Sequence, residues 1–354
     1  CDWSSDVCSS DLRNVDPTLD LLATVLLQPT FPESEWTLLQ KQRTADIDRK
    51  RKDPDWIAGR VFDAVLFGDR YRRAPSKESY AAITTADART WWSTNLTPDK
   101  AVLLAGGDVT LADLVPRLEK RFGAWKAESG GARPAVAAPT SGEPVIHFVD
   151  RPGAAQSVIR VGGYLLPPTD PDWFGFLLAN QAVGGQFTAR LNMNLREAKG
   201  WTYGARSGIS YDLAGGRFAA SAGIVTAHTA EALQETLAEL AGPGGARPLT
   251  DAEIADARSS IVLGWPLRFE SPDYLLGQQE AVWRYGLPAD WVTAYVPKLE
   301  AVTPASAAKA WNSRVDPSKL VIVVVGDGAV VRESLAKIRP IVEHDADGRG
   351  IAGK

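Results

Sequence analysis

Arg196 and Tyr203 are the residues of this chain whose types and spacing could do chemistry together. An arginine presents several fixed donors and no acceptor, which suits a carbonyl oxygen gaining negative charge. A tyrosine hydroxyl can donate to the same region without adding a second full charge. Both lie in GGQFTARLNMNLREAKGWTYGARSG, Gly184 to Gly208. Phe187, Leu191 and Leu195 recur at i, i+4 and i+8, which predicts a helical stripe. Gly200 predicts the stop of that helix. From Thr202 the period becomes two: Tyr203, Ala205, Ser207, Ile209 and Tyr211 on one side, Thr202, Gly204, Arg206, Gly208 and Ser210 on the other. Arg196 is thus expected at a helix end and Tyr203 at a strand start, joined by a tight turn that aims both into one cleft. The plainer alternatives are a cation favoured by a helix C-terminus for Arg196 and a half-buried strand residue for Tyr203. Gly184-Gly185 is either a helix stop or a substrate-facing turn, and Arg206 faces solvent.

The elements that must position this stretch belong to a chain of 354 residues, long enough for two domains. With 45% hydrophobic and 23% charged residues the composition is that of a globular protein. A net charge of −4 argues against nucleic acid as a partner. No apolar run approaches the ~20 residues of a membrane span. The only cysteines, Cys1 and Cys8, fall in the opening CDWSSDVCSSDL. Residues 1–12 show no periodicity and are set aside as a non-native or disordered tail.

Helices are expected at 19–27, 33–51, 54–67, 86–95 and 111–122, and a buried strand at 101–105. The Gly-, Ala-, Pro- and Ser-rich stretch 127–142 is expected to be a linker. Beyond it come strands at 144–149 and 157–162, a helix at 173–183, and a hairpin of 202–211 with 217–225. Four helices and a strand at 320–325 follow. Ile83–Asp108 lies on Val302–Asp327 without a gap at an offset of 219: Thr84 on Thr303, Trp92 on Trp311, Pro98 on Pro317, Lys100 on Lys319. Pro54 meets Pro272 and Glu35 meets Glu253 at an offset of 218. The chain therefore reads as a tandem duplication of a unit of about 220 residues, with a first copy at 13–126 that lacks its opening strands and a complete second copy at 143–354.

LNMNLREAKGWTYGARSG resembles the second-domain signature of the pitrilysin/insulinase family of zinc metallopeptidases. FGDRYRRAPSKESYAAITTADARTWWSTNLTPDKAVLLAGGD, Phe67 to Asp108, resembles a later part of the same repeated domain. The resemblance implies an α/β (α+β) tandem repeat of a metallopeptidase-like domain, with a mostly antiparallel sheet and helices on one side. It implies that active members bind zinc through H-x-x-E-H and a downstream Glu. It also implies that an Arg and a Tyr of the second-domain signature, matched by Arg196 and Tyr203, hold substrate backbone across the chamber, with Gly184 and Gly185 ahead of the signature helix.

The zinc motif has no match. His147, His228 and His344 have no zinc-like spacing, and the residue nearest the downstream ligand position is Asp46. Asp46 and Asp48 read more simply as a solvated helix face with Lys50 and Lys52. No cofactor is expected in this chain, with zinc in a catalytic half or partner subunit of the same family. The expected partner is an extended or unfolded peptide. The expected function is the substrate-binding, non-catalytic half of a zinc metalloendopeptidase; the alternative is a scaffold subunit resembling processing-peptidase core subunits. Gly107-Asp108 and Gly326-Asp327 lack G-x-G-x-x-G and read as strand-ending turns. The compartment stays open, a bacterial periplasm or cell envelope being compatible.

Overall fold

A computed structural model describes residues 11–68, 75–126 and 144–350, apart from 166, 213 and 214. The expected linker, and all but the last two residues of the expected tail, lie outside the described residues.

The first half is helical: α1 (Val15–Leu27), α2 (Glu33–Lys50), α3 (Pro54–Phe67), α4 (Lys77–Ala82), α5 (Thr85–Asn95) and α6 (Leu111–Phe122). Their starts are encoded locally. Asp53 caps α3 through Asp55 N–H with Pro54 at the first helical position, and Thr84 with Asp87 forms a capping box on α5.

The second half builds a six-stranded sheet in the order β3-β4-β2-β5-β1-β6. Its strands are β1 (Ile146–Asp150), β2 (Gln156–Leu165), β3 (Thr202–Asp212), β4 (Gly215–Val225), β5 (Val321–Gly326) and β6 (Ile341–Glu343). The β3–β4, β4–β2 and β2–β5 ladders are antiparallel, and β1 runs parallel to β5 and β6. The sheet is mostly antiparallel, as the resemblance implies. The longer helices of this half are α7 (Trp173–Asn180), α8 (Thr229–Ala241), α9 (Asp251–Val262), α10 (Pro272–Tyr285), α11 (Trp291–Glu300), α12 (Pro304–Asn312) and α13 (Gly328–Ala336).

Strand alternation sorts the core into two faces. Phe176 of α7 stacks on Trp311 of α12 at 5.1 Å, and Phe218 of β4 closes the cluster at 5.5 Å from Phe176. On the other face Val321, Val323 and Val325 of β5 and Val158 of β2 meet Ile57, Ala58, Val61 and Phe62 of α3. The expectation of helices on one side therefore needs α3 added on the opposite face.

Two segments matched by the expected repeat share their hydrogen-bonding arrangement. Trp92 Nε1 donates to the carbonyl of Leu26, the penultimate residue of α1, at 3.1 Å; Trp311 Nε1 donates to that of Leu240, the penultimate residue of α8, at 2.9 Å. Thr84 and Thr303 head capping boxes on the corresponding helices.

The compact units do not follow the copies. One unit gathers the described residues before Ile47, those from 75 to 126, and Leu267–Ala281; the other holds the rest, including α3 and the sheet. Helices α3 and α10 occupy the same place in the repeat, each 14 residues long. Ala58 of α3 is buried with Val323 and Val325. Its counterpart Leu276 of α10 sits against Gly106, where an added Cβ would stand 3.3 Å from the leucine.

Residues 101–105 form no strand, against expectation, and Val102 and Leu103 are exposed. A strand exists only by pairing. Val321–Val325 has β1 and β2 on its flanks, whereas 101–105 meets no ladder among the described residues.

Candidate functional site

The signature stretch is built from two π-helical turns and a bulged strand. Helix α7 passes into a π-helical turn at Gln181–Gly185, and Arg190–Asn192 passes into a second at Met193–Ala198. Such turns are uncommon and gather at functional sites. The expected stripe holds for Leu191 and Leu195, both fully buried, and fails for Phe187, which precedes the helix and is 50% exposed. Gly200 stops the helix as expected. At φ 64° its N–H donates to Arg196 O at 2.9 Å, and Trp201 N–H donates to Leu195 O at 3.0 Å.

The glycine pair serves packing. Gly184 is buried, and a Cβ there would lie 2.7 Å from Ser207 N. Ser207 Oγ in turn donates to the buried Asn180 Oδ1 at 2.8 Å. Gly184 thus lets the first π-helical turn press on β3. A Cβ on Gly185 would collide with the Gln181 carboxamide.

Arg190 anchors the second turn. Its buried guanidinium donates from Nε and Nη2 to the two Glu253 oxygens at 2.6 and 2.7 Å, from Nη1 to Arg247 O at 2.6 Å and from Nη2 to Pro248 O at 2.9 Å. Burial alone would raise the Glu253 carboxyl; the hydrogen bonds from Arg190 and Thr250 override it and hold it at about 2.

Arg196 lies on the rim. Its guanidinium covers the Phe187 ring at 4.9 Å, and its Nε is 3.3 Å from Glu197 Oε1. The alternation expected of β3 breaks at its start. A register shift between Thr202 and Ala205 marks a bulge. Ala205 and Ser207 face the core as expected, while Tyr203, assigned by spacing to the same side, is 89% exposed. A bulge inserts a residue and re-aims the side chains around it. Thr202 Oγ1 accepts from Gly204 N–H at 3.1 Å, and Asn192 Oδ1 accepts from Ala205 N–H at 3.3 Å. Asn192 Nδ2 donates to Phe187 O at 2.9 Å. Arg196 and Tyr203 make no direct hydrogen bond or ring contact with each other among the described residues. They share a frame: Phe187 under the arginine and the bulge under the tyrosine are both tied to Asn192. Neither Asn192 nor Phe187 stands out in sequence as a site residue.

Among the described residues no group of three or more His, Cys, Asp or Glu is placed to hold a metal. His147 and His344 come together, Nδ1 to Nε2 at 2.8 Å, without a third ligand. His228 stacks on Trp201 at 5.0 Å. The paired histidines among the described residues do not by themselves make a catalytic zinc set.

Residues 82–261, just over half of the chain, match the model of the peptidase M16 inactive domain. The chain belongs to the peptidase M16 family. An uncharacterized zinc protease of Mycobacterium leprae is 25% identical over 267 residues, covering 73% of this chain and 58% of that protein. The chain thus spans less than two thirds of that M16-like relative. The crystal structure of a peptidase M16 inactive domain from Pseudomonas fluorescens superposes with a TM-score of 0.82 at 23% identity, over 90% of this chain and 76% of that one. A chain of complex III from Candida albicans superposes at 0.74 with 13% identity, over 93% and 81%. The pitrilysin/insulinase resemblance of the signature is thereby upheld at the level of family and fold.

Proposed function

We propose that this M16 chain is the substrate-binding, non-catalytic half of a zinc metalloendopeptidase, holding extended peptide for hydrolysis at a zinc site on another half or subunit. The observation that carries the reading is the bulge at Thr202–Ala205. It turns a tyrosine out of a strand that would otherwise bury it, and hydrogen bonds accepted by the buried Asn192 and by Thr202 maintain that arrangement. Strand β3 pairs only with β4 and forms an edge of the sheet among the described residues. An open strand edge offers backbone N–H and C=O groups to an extended chain. Arg196 and Tyr203 stand beside the start of that edge with donors to spare, suited to peptide carbonyls.

The experiment is reconstitution of the chain with a zinc-bearing family partner and measurement of peptide turnover. Tyr203→Phe and Arg196→Lys are expected to lower turnover without lowering the melting temperature. Turnover equal to the parent in both variants would sink this reading. It would favour a scaffold role instead, to which the fold shared with a complex III chain lends support.

A further inference from the structure

A charged cavity lies in the sheet unit, lined by none of the residues of the signature stretch. It has a volume of about 350 Å³ and is lined by Asp55, Trp56, Arg60 and Asp63 of α3 with Arg160 of β2 and Arg217 of β4. That volume is at the lower end of the range for small-ligand sites, roughly 300–1,000 Å³. Three of its cations are held differently. Arg217 Nη1 sits 3.0 Å from Asp63 Oδ1. Arg60 donates from Nε to Asp347 O at 3.1 Å and lies 5.2 Å from the Trp56 ring. Arg160 has no acceptor within hydrogen-bond or ion-pair reach, and its Nε is sealed from solvent. A guanidinium with a buried, unmatched N–H needs a partner.

The fold makes room for that guanidinium. Gly59 lies over it, and a Cβ there would stand 3.1 Å from Arg160 Nη1. The repeat supplies a comparison. Pro54-Asp55-Trp56 and Gly59 recur at an offset of 218 as Pro272-Asp273-Tyr274 and Gly277, but Arg60 and Asp63 become Gln278 and Ala281. No atom lies within 4 Å of a Cβ built at Gly277. Arg60, Asp63 and the arginine under the glycine therefore have no counterpart at α10, although Asp55 has one in Asp273.

We propose that this cavity binds a peptide carboxylate, at a chain terminus or on an acidic side chain, through Arg160. Asp63 is ion-paired with Arg217 at 3.0 Å, although its buried Oδ1 completes no hydrogen bond, and burial pushes its carboxyl up against the pull of Arg217 and Arg160. Among the residues lining the cavity three guanidiniums stand against two carboxylates, and Asp212 and Asp347 act on Asp63 and Arg60 from beyond the lining, so the site suits a ligand of a single negative charge at Arg160. A doubly charged phosphate would bring its second charge against Asp55 and Asp63. The planar fork of Arg160 matches a carboxylate bidentately, and Trp56 with Arg60 provides a flat wall for the adjoining residue.

The test is calorimetric titration of the 354-residue chain with three probes. They are the free acid Ala-Ala-Phe, its amide, and the amidated peptide Ala-Asp-Phe. Binding of the free acid, of the Asp peptide, or of both, with the amide of Ala-Ala-Phe at least about tenfold weaker, is the expected result and tells which source the site takes. Arg160→Met should lower that affinity by about tenfold or more. Gly59→Ala, which keeps every charge and puts a methyl against Nη1, should weaken binding while the melting temperature holds or rises. Equal binding of all three probes, none below millimolar concentration, or no effect of Gly59→Ala in a folded protein would overturn the proposal. So would competition by inorganic phosphate at the same concentration as the free acid. None of these outcomes depends on peptide turnover at Arg196 and Tyr203.

Discussion

Asn192 Oδ1 accepts the Ala205 N–H at 3.3 Å, so a buried side chain of the signature helix holds the strand bulge that exposes Tyr203. The same carboxamide donates to Phe187 O. Asn192→Leu keeps the volume and removes both bonds, leaving buried backbone groups unmatched. It is expected to cost about 1–3 kcal/mol and, under the proposed function, to depress turnover of the chain reconstituted with a zinc-bearing partner. Asn192→Asp keeps the acceptor and should retain more of both. Urea denaturation and turnover of the two variants check this.

Tyr203 is almost wholly exposed, so Tyr203→Phe should change stability by no more than about 0.5 kcal/mol. If its hydroxyl serves the transition state, turnover should fall by about 10²-fold, as for loss of one oxyanion donor. The ratio of the activity change to the melting change separates chemistry from folding.

Arg190 and Arg196 lie in the same short segment and should behave in opposite ways. Arg190→Ala removes the partner of a carboxylate and of two carbonyls in a buried site, and is expected to destabilise by about 3–5 kcal/mol. Arg196→Ala removes a rim cation over Phe187 and should cost about 1 kcal/mol or less. Paired denaturation curves decide it.

Gly184→Ala places a methyl 2.7 Å from Ser207 N, in backbone that cannot swing aside. Overpacking of this kind is expected to cost about 1–3 kcal/mol. The companion Gly185→Ala meets only the flexible Gln181 side chain and should be milder. Thermal melts of the two variants test the contrast.

Stability should depend on pH in two windows. Burial, and then the neighbouring His344, lower His147 from 6.5 to about 4. The unfolded chain binds this proton more readily, so the contribution is complete above pH 6.5 and is lost as pH falls towards 4, on the order of 3 kcal/mol. His147→Gln should flatten that window. Glu253, lowered from 4.5 to about 2, contributes fully above pH 4.5 and is lost as pH falls towards 2. Urea midpoints measured from pH 8 to pH 3 resolve the first window and the onset of the second.

Much of this protein was legible in sequence because the signals are local. Gly200 marks a helix end, since a left-handed residue there costs glycine nothing. The repeat register placed Thr84 with Thr303 and Trp92 with Trp311, and both pairs keep their hydrogen bonds. The β3–β4 hairpin and the buried β5 followed from period and apolar runs. What spacing left undetermined depends on partners distant along the chain. Whether 101–105 becomes a strand is decided by a neighbouring ladder, and which face of the sheet α3 covers by apolar surface about 260 residues further on. Tyr203 points outward because Asn192 and Thr202 hold a bulge that no two-residue alternation encodes. Arg160 has space because Gly59, 101 positions earlier, carries no side chain. Periodicity sets which residues share a face as long as the backbone is regular; where it bulges or widens into a π-helical turn, long-range hydrogen bonds decide where each side chain goes.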